Sequence, residues 1–153
     1  MVEQKSLSLQ KNLTIRLLRV LRYNKSRTER ALSLLPLENR PLFHVLPFLI
    51  HVNHPDLPGY VESPSNDVLV PFGINNYSFR KDIEMALTRC FPSLQSLFTD
   101  IKSIWPRQRC IDSLVLMGSI GTIAQTDTSD FDYWVCVNGK QFAPQSLDLL
   151  TQK

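Results

Sequence analysis

The chain has 153 residues, of which 43% are hydrophobic and 20% are charged. This composition is ordinary for a soluble globular protein with a sizeable core, and it excludes a low-complexity chain. The N-terminus has no continuous apolar segment of the signal-peptide type, and no run approaches the ~18 apolar residues of a membrane span. We therefore expect a cytoplasmic protein. Its three cysteines form no CxxC pair and are expected to be reduced: Cys90, Cys110 and Cys136.

The net charge of +3 is unevenly distributed along the chain. Residues 1–40 carry nine Lys/Arg and three Asp/Glu, whereas residues 41–153 carry eight and eleven. The basic excess of the first segment is typical of a solvated helix face, and it also suits contact with phosphates or a membrane surface.

The N-terminal third of the chain has helical periodicity. Leucines recur every four residues from Leu9 to Leu21, which predicts an amphipathic helix over residues 6–23. A second helix is predicted over 27–35, ending near Pro36. An apolar helix follows, and we expect Pro47 to interrupt it.

The middle of the chain is predicted to contain a loop and two further helices. Residues 61–76 have the composition of a loop, with a short strand at 68–70. Helical spacing continues over 78–91 and 93–105, and each of these segments starts with a serine that can serve as an N-cap.

The pattern changes near residue 111. A continuous apolar run predicts a buried strand over 113–117, and the segment 119–125 is expected to form a short helix. Alternating aromatic and β-branched residues predict a second strand over 130–137. A final helix is predicted to begin in the tail. The fold class is therefore α+β, with a mostly helical region over 1–107 and a separate domain from 108 to 153.

Two carboxylates accompany the second predicted strand. Residues i and i+2 of a strand point to the same face, roughly 6.6–6.8 Å apart, so Asp130 and Asp132 are expected to project together. Their charges repel each other, and a divalent cation removes that cost. Mg²⁺ prefers oxygen ligands and is commonly held by one or two carboxylates with substrate phosphates. The pair therefore predicts a magnesium–nucleotide site.

A Gly-Ser pair follows the first predicted strand. Gly118 has no side chain, so a phosphate can approach its backbone closely. Ser119 can donate its hydroxyl proton, and a helix that begins there would offer free N–H groups to an anion. Gly-Ser and Asp-x-Asp are each common, but their order between two predicted strands favours a nucleotide site.

Residues 114–135 resemble the signature of the nucleotidyltransferase superfamily that includes DNA polymerase beta. The stretch "MGSIGTIAQTDTSDFDYWVC" is similar to the core motif of class I adenylate cyclases of gamma-proteobacteria, and "LIHVNHPDLPGYV" resembles a segment upstream of that motif. The resemblance covers about residues 26–62 and 114–137. It implies that residues 108–153 form the first part of a nucleotidyltransferase-like mixed sheet.

The resemblance also implies an activity, the conversion of ATP to 3′,5′-cyclic AMP and pyrophosphate. In that family pattern Gly118 and Ser119 bind the nucleotide phosphates, and Asp130 and Asp132 are catalytic ligands of two Mg²⁺ ions. The ribose 3′-oxygen attacks the α-phosphorus in line. No nucleic-acid partner and no membrane span are expected, and the oligomeric state stays open.

The chain departs from the family pattern in one respect. The superfamily adds a third carboxylate from a later strand, but the only acidic residue downstream of the pair is Asp148, in a predicted helix. Class I cyclases are also much longer, so we expect this chain to lack the remainder of a longer protein and to have little activity alone. Two alternatives remain: an enzyme that transfers a nucleotide to an acceptor, and a non-catalytic nucleotide-binding module.

Overall fold

The structure is a computed structural model that describes the backbone of residues 2–153 and the side chains from residue 8 onward. Helices and a small antiparallel sheet together confirm the α+β class. The α-helices are α1 (Val2–Leu34), α2 (Leu42–His51), α3 (Lys81–Cys90), α4 (Gln95–Thr99), α5 (Ile101–Ile104) and α6 (Pro144–Gln152). The strands are β1 (Ile111–Leu116) and β2 (Tyr133–Val137), and short 3-10 turns lie at Pro92–Leu94 and Gly139–Gln141.

Helix α1 is continuous where the sequence predicts two helices. The intervening residues 24–26 contain neither glycine nor proline, so nothing in them breaks the backbone hydrogen bonding. Residues 8–26 are exposed on every side, and burial begins near the C-terminal end of the helix, at Ala31. The helix ends two residues before Pro36, as predicted.

Helix α2 continues through Pro47, so the predicted interruption is wrong. A proline removes one backbone N–H from the helix, and the buried side of α2 retains its packing. That side consists of Val45, Phe48 and His51. Tertiary packing of this apolar face therefore outweighs the local cost of the proline.

The middle segment differs from the prediction in three places. No strand forms at 68–70, where Val68 makes only an isolated bridge with Ser65. Helix α3 begins at Lys81 after Arg80, so Ser78 is not its cap. The helix predicted over 93–105 is divided because Asp100 adopts a non-helical conformation (φ −99°, ψ 56°) between α4 and α5.

Strands β1 and β2 pair antiparallel, with Val115 opposite Trp134 and Leu116 opposite Tyr133. One more ladder bond follows, because the Met117 N–H donates to the Asp132 carbonyl at 2.7 Å. Along β2 the residues alternate between half-buried and exposed, and Trp134 is 64% exposed. One face of this two-stranded hairpin is therefore partly buried, and its other face is exposed to solvent.

Contacts divide the chain into two compact units. Unit 1 consists of Met1–Leu35 and Gly118–Phe131, and unit 2 consists of Pro36–Met117 and Asp132–Lys153. The sequence-based boundary near residue 107 stays a prediction. Among the residues described, no helix has the length and apolar character needed to cross a membrane. The hydrophobic core of unit 2 is formed by Val45, Phe48, Val52, Leu57, Ile83, Ala86, Leu87, Phe98 and Ile104.

A fully buried histidine lies beside this core. The Nδ1 atom of His51 accepts a hydrogen bond from the Ile74 N–H at 2.9 Å, and its ring centroid lies 4.5 Å from that of Tyr77 and 4.3 Å from that of Trp105. Its Nε2 atom has no hydrogen-bond partner among the described residues. Burial, with a smaller contribution from Arg109, lowers the pKa of His51 to about 4.

Candidate nucleotide site

The Gly-Ser pair lies in a series of turns directly after β1. Gly118 has a φ of +73° and Gly121 a φ of +75°, conformations that glycine adopts without steric cost. The helix predicted over 119–125 is therefore wrong, because a left-handed residue at its third position stops helical hydrogen bonding. The segment is instead stabilised by turn bonds such as the Thr122 N–H donating to the Ser119 carbonyl at 2.9 Å.

Hydroxyl groups connect the two ends of this segment. Ser119 Oγ donates to Ser129 Oγ at 2.7 Å, and Ser129 Oγ accepts from the Thr126 N–H at 2.9 Å. The Thr122 hydroxyl donates to the Ser119 carbonyl at 2.6 Å. The Ser119 hydroxyl therefore donates its proton to Ser129, whereas the sequence pattern predicts that it donates to a phosphate.

Helix α1 holds the same segment through main-chain atoms. Arg27 Nε donates to the Ile120 carbonyl at 2.9 Å, and Arg27 Nη2 donates to the Gly118 carbonyl at 3.2 Å. One turn later, Arg30 Nε donates to the Thr122 carbonyl at 3.1 Å. We call residues 118–125 the motif loop. Two arginines of α1 therefore bind three carbonyls of the motif loop.

A glutamine completes these contacts from the loop side. Gln125 Nε2 donates to the Ala31 carbonyl at 3.2 Å, and Gln125 Oε1 accepts from the Gly121 N–H at 2.6 Å. One side chain thus bonds both the helix and the loop. Its two hydrogen bonds fix the amide orientation, because the oxygen accepts and the nitrogen donates.

The two aspartates precede β2, so the prediction that the strand includes both is wrong. β2 begins at Tyr133, and only the Asp132 carbonyl takes part in the ladder. Asp130 belongs to unit 1 and Asp132 to unit 2, and both are exposed. Because both aspartates lie before the strand, the strand geometry that predicts a common face does not apply to them.

The chemistry of these side chains suits a hard cation. Neither the Asp130 nor the Asp132 carboxylate forms a hydrogen bond or ion pair with any described residue, so their oxygens are available as ligands. In the described part of the chain, no three His, Cys, Asp or Glu residues are grouped as a metal site. Asp148 lies in α6, as the sequence predicts.

A cavity of about 490 Å³ in unit 2 contains none of the predicted site residues. It lies beside the segment that connects α5 to β1. Its lining is Asn53, His54, Ser63, Leu69, Val70, Phe72, Ser103, Ile104, Trp105, Pro106, Arg107, Gln108 and Cys110. The cavity and the Gly-Ser motif are therefore separate features.

Sequence reasoning misses the residues that hold the motif loop. Periodicity places Arg27 and Arg30 in a helix without a specific role, and it places Gln125 in a helix that does not form. The spacing of the two arginines is a usable signal, because residues i and i+3 share one face of a helix. The residues that this helix face contacts lie 91–94 positions away in the sequence, so the local pattern does not identify them.

Comparison with known proteins identifies the family. The family described as the adenylate cyclase NT domain matches residues 12–153, which include the motif loop and both aspartates. The chain therefore belongs to the adenylate cyclase NT-domain family. No solved structure matches the chain.

Several curated relatives carry the name adenylate cyclase. The one from Pasteurella multocida (strain Pm70) is 38% identical over 114 residues, a match that covers 74% of this chain and 13% of the relative. The one from Haemophilus influenzae (strain Rd) is 32% identical over 117 residues, covering 71% and 13%. The Yersinia pestis protein is 28% identical over 121 residues, covering 74% and 12%. The chain thus spans about an eighth of the length of these relatives.

Proposed function

We propose that this chain is the N-terminal part of an adenylate cyclase that converts ATP to 3′,5′-cyclic AMP and pyrophosphate. The observation that carries the proposal is the family match over residues 12–153, with relatives named adenylate cyclase. The Gly-Ser and Asp-x-Asp motifs lie within the matched range. Their chemistry agrees with a reaction in which positioning and charge stabilisation of phosphates supply most of the catalysis.

In this proposal Asp130 and Asp132 hold Mg²⁺. Both carboxylates are exposed and unbonded to described residues, and oxygen ligands suit this ion. When bound, Mg²⁺ supplies charge stabilisation at the reacting phosphates. Gly118 allows close approach of a phosphate, because it carries no side chain and has a positive φ.

The motif loop keeps the Ser119 main chain available to the nucleotide. No described residue accepts a hydrogen bond from the Ser119 N–H, whereas the Ser119 hydroxyl donates to Ser129. Backbone N–H groups in a turn are good donors to phosphate oxygens. We therefore assign the phosphate contact of Ser119 to its amide.

Substitution of the aspartates tests the metal role. The measurement is the rate of cyclic AMP formation from Mg-ATP by the gene product that contains these residues. This rate should fall at least about 100-fold in Asp130→Asn and in Asp132→Asn, because each variant loses a charged metal ligand. Asp127→Asn is the matched control: Asp127 is exposed in the same segment, and its substitution should change the rate less than about threefold.

The possible results separate the proposed function from its alternatives. A well-folded product that forms no cyclic AMP contradicts the proposal. Pyrophosphate release only after addition of an acceptor would identify a nucleotide transferase. Binding of Mg-ATP without turnover would identify a nucleotide-binding module.

The 153-residue chain by itself should form little or no cyclic AMP. The family resemblance calls for a third carboxylate from a later strand, and Asp148 lies in a helix. The measurement is cyclic AMP formed by the purified chain under the conditions used for the longer product. A comparable rate for the two proteins would show that the third ligand is dispensable or lies within these residues.

A further inference from the structure

Arg27 makes the most direct connection between α1 and the Gly-Ser motif. Its guanidinium donates to the carbonyls of Gly118 and Ile120, two residues apart in the motif loop. Guanidinium groups present several donors in one rigid plane, so a single arginine can fix two carbonyls at once. Arg27 therefore restrains the main chain on both sides of Ser119.

This restraint sets the direction of the Ser119 amide. The Gly118 carbonyl and the Ser119 N–H belong to one planar trans peptide, in which they point in opposite directions. Because the carbonyl faces Arg27, the N–H is directed to the opposite side of the peptide. That N–H has no acceptor among the described residues.

The next carbonyl bound by Arg27 is fixed in the same way. The Ile120 carbonyl faces Arg27, and the Gly121 N–H in that peptide donates to Gln125 Oε1 at 2.6 Å. A Cβ atom on Gly121 would lie 2.5 Å from Arg27 Cγ and 2.5 Å from the Arg27 carbonyl oxygen. The loop and the arginine are therefore in close contact, and no side chain fits between them.

We propose that Arg27 is a positioning residue of the nucleotide site, which orients the Ser119 amide toward a nucleotide phosphate by holding the Gly118 and Ile120 carbonyls. This inference rests on the proposed function and adds to it a role for a residue of α1 outside the motif. The role depends on the geometry of the guanidinium as well as on its charge. A lysine at this position keeps the charge but loses the planar fork that reaches both carbonyls.

The test compares three variants of the gene product that contains these residues: Arg27→Lys, Arg27→Ala and Arg19→Ala. Arg19 is the matched control, since it lies on the exposed part of the same helix and has no partner among the described residues. Two quantities are measured for each protein: amide hydrogen exchange of residues 118–125, and the dissociation constant of Mg-ATP. Circular dichroism verifies that each variant is folded.

Both Arg27 variants should exchange the motif-loop amides about tenfold faster and bind Mg-ATP about tenfold more weakly, the scale expected for loss of charge-assisted hydrogen bonds. The Arg19→Ala variant should match the unmodified chain within about twofold. The decisive variant is Arg27→Lys, because a contribution from charge alone predicts that it behaves like the unmodified chain.

The outcomes distinguish failure of this inference from failure of the proposed function. Unchanged exchange, or unchanged Mg-ATP binding in Arg27→Lys, overturns the positioning role of Arg27. If the unmodified gene product does not bind Mg-ATP, the proposed function is overturned, and the nucleotide role of Arg27 with it, even if the motif-loop amides exchange faster in the Arg27 variants.

Discussion

Gly121 is a residue of the motif loop at which substitution is strongly resisted. Its φ of +75° lies in the left-handed region, and the space for a Cβ is already occupied by Arg27 atoms at 2.5 Å. A side chain at Gly121 would therefore strain the backbone and displace the arginine that binds Gly118 and Ile120. A single glycine thus permits the contact between α1 and the motif loop.

We expect Gly121→Ala to lower the free energy of unfolding by about 2–4 kcal/mol, the sum of a left-handed conformation and an overpacked contact. Urea denaturation measures this change. Gly139→Ala is the control, because no atom lies within 4 Å of the position that a Cβ would occupy there and its φ is not positive. Equal effects of the two substitutions would contradict the close contact.

Helix α1 shows what sequence periodicity predicts and what it leaves out. The leucine spacing correctly predicts a helix, because i, i+4 positions share one face. The same spacing suggests that the leucines form a row that packs against other residues. In the described first half of the helix, however, the large apolar side chains are exposed. These are Leu9, Leu13, Ile15, Leu17, Leu18, Val20, Leu21 and Tyr23.

The two halves of α1 should differ in hydrogen exchange. Residues 8–22 make no burying contacts in the described structure, so only intrinsic helix propensity protects their amides. The amides of 27–34 should exchange at least about tenfold more slowly, because Arg27, Arg30 and Ala31 contact the motif loop. Mass spectrometry of peptic fragments measures the difference, with the buried helix α2 as a protected reference. Equal exchange in the two halves would contradict the prediction, and slow exchange in both would indicate a further contact surface on α1.

The candidate site is predictable in its chemistry and only partly in its geometry. Gly118, Ser119, Asp130 and Asp132 stand out in the sequence because their types and order suit phosphate and magnesium. Their local structure is harder to predict, since a short segment with two left-handed glycines can be mistaken for a helix. The contacts of Arg27 cannot be inferred, because a local pattern contains no information about a partner 91 residues away.

The buried histidine makes the stability of the protein depend on pH. The pKa of His51 is about 4 in the folded protein, and an unfolded histidine titrates near 6.5. Between these values the unfolded chain binds more protons, so stability decreases as the pH falls from 6.5 toward 4. Burial also lowers the pKa of His44, which contributes in the same direction.

We expect the free energy of unfolding to be about 2 kcal/mol lower at pH 5 than at pH 7 because of His51. Urea denaturation at the two pH values measures the difference. In His51→Asn, which keeps an acceptor for the Ile74 N–H, most of this difference should disappear. His54→Asn, at a half-buried turn position, should retain it. A pH dependence that is unchanged in His51→Asn would assign it to other groups.

The hydrogen bonds between α1 and the motif loop join residues 91–94 positions apart, and this separation has a consequence during protein synthesis. Ribosomes add roughly 5–20 residues per second, so the nascent chain carries α1 for roughly 5–20 s before the loop is made. The helices of the intervening segment can fold during this interval, since their contacts are more local. The contacts of the Gly-Ser motif with α1 can therefore form only after the intervening helices are made, although α1 itself is synthesised first.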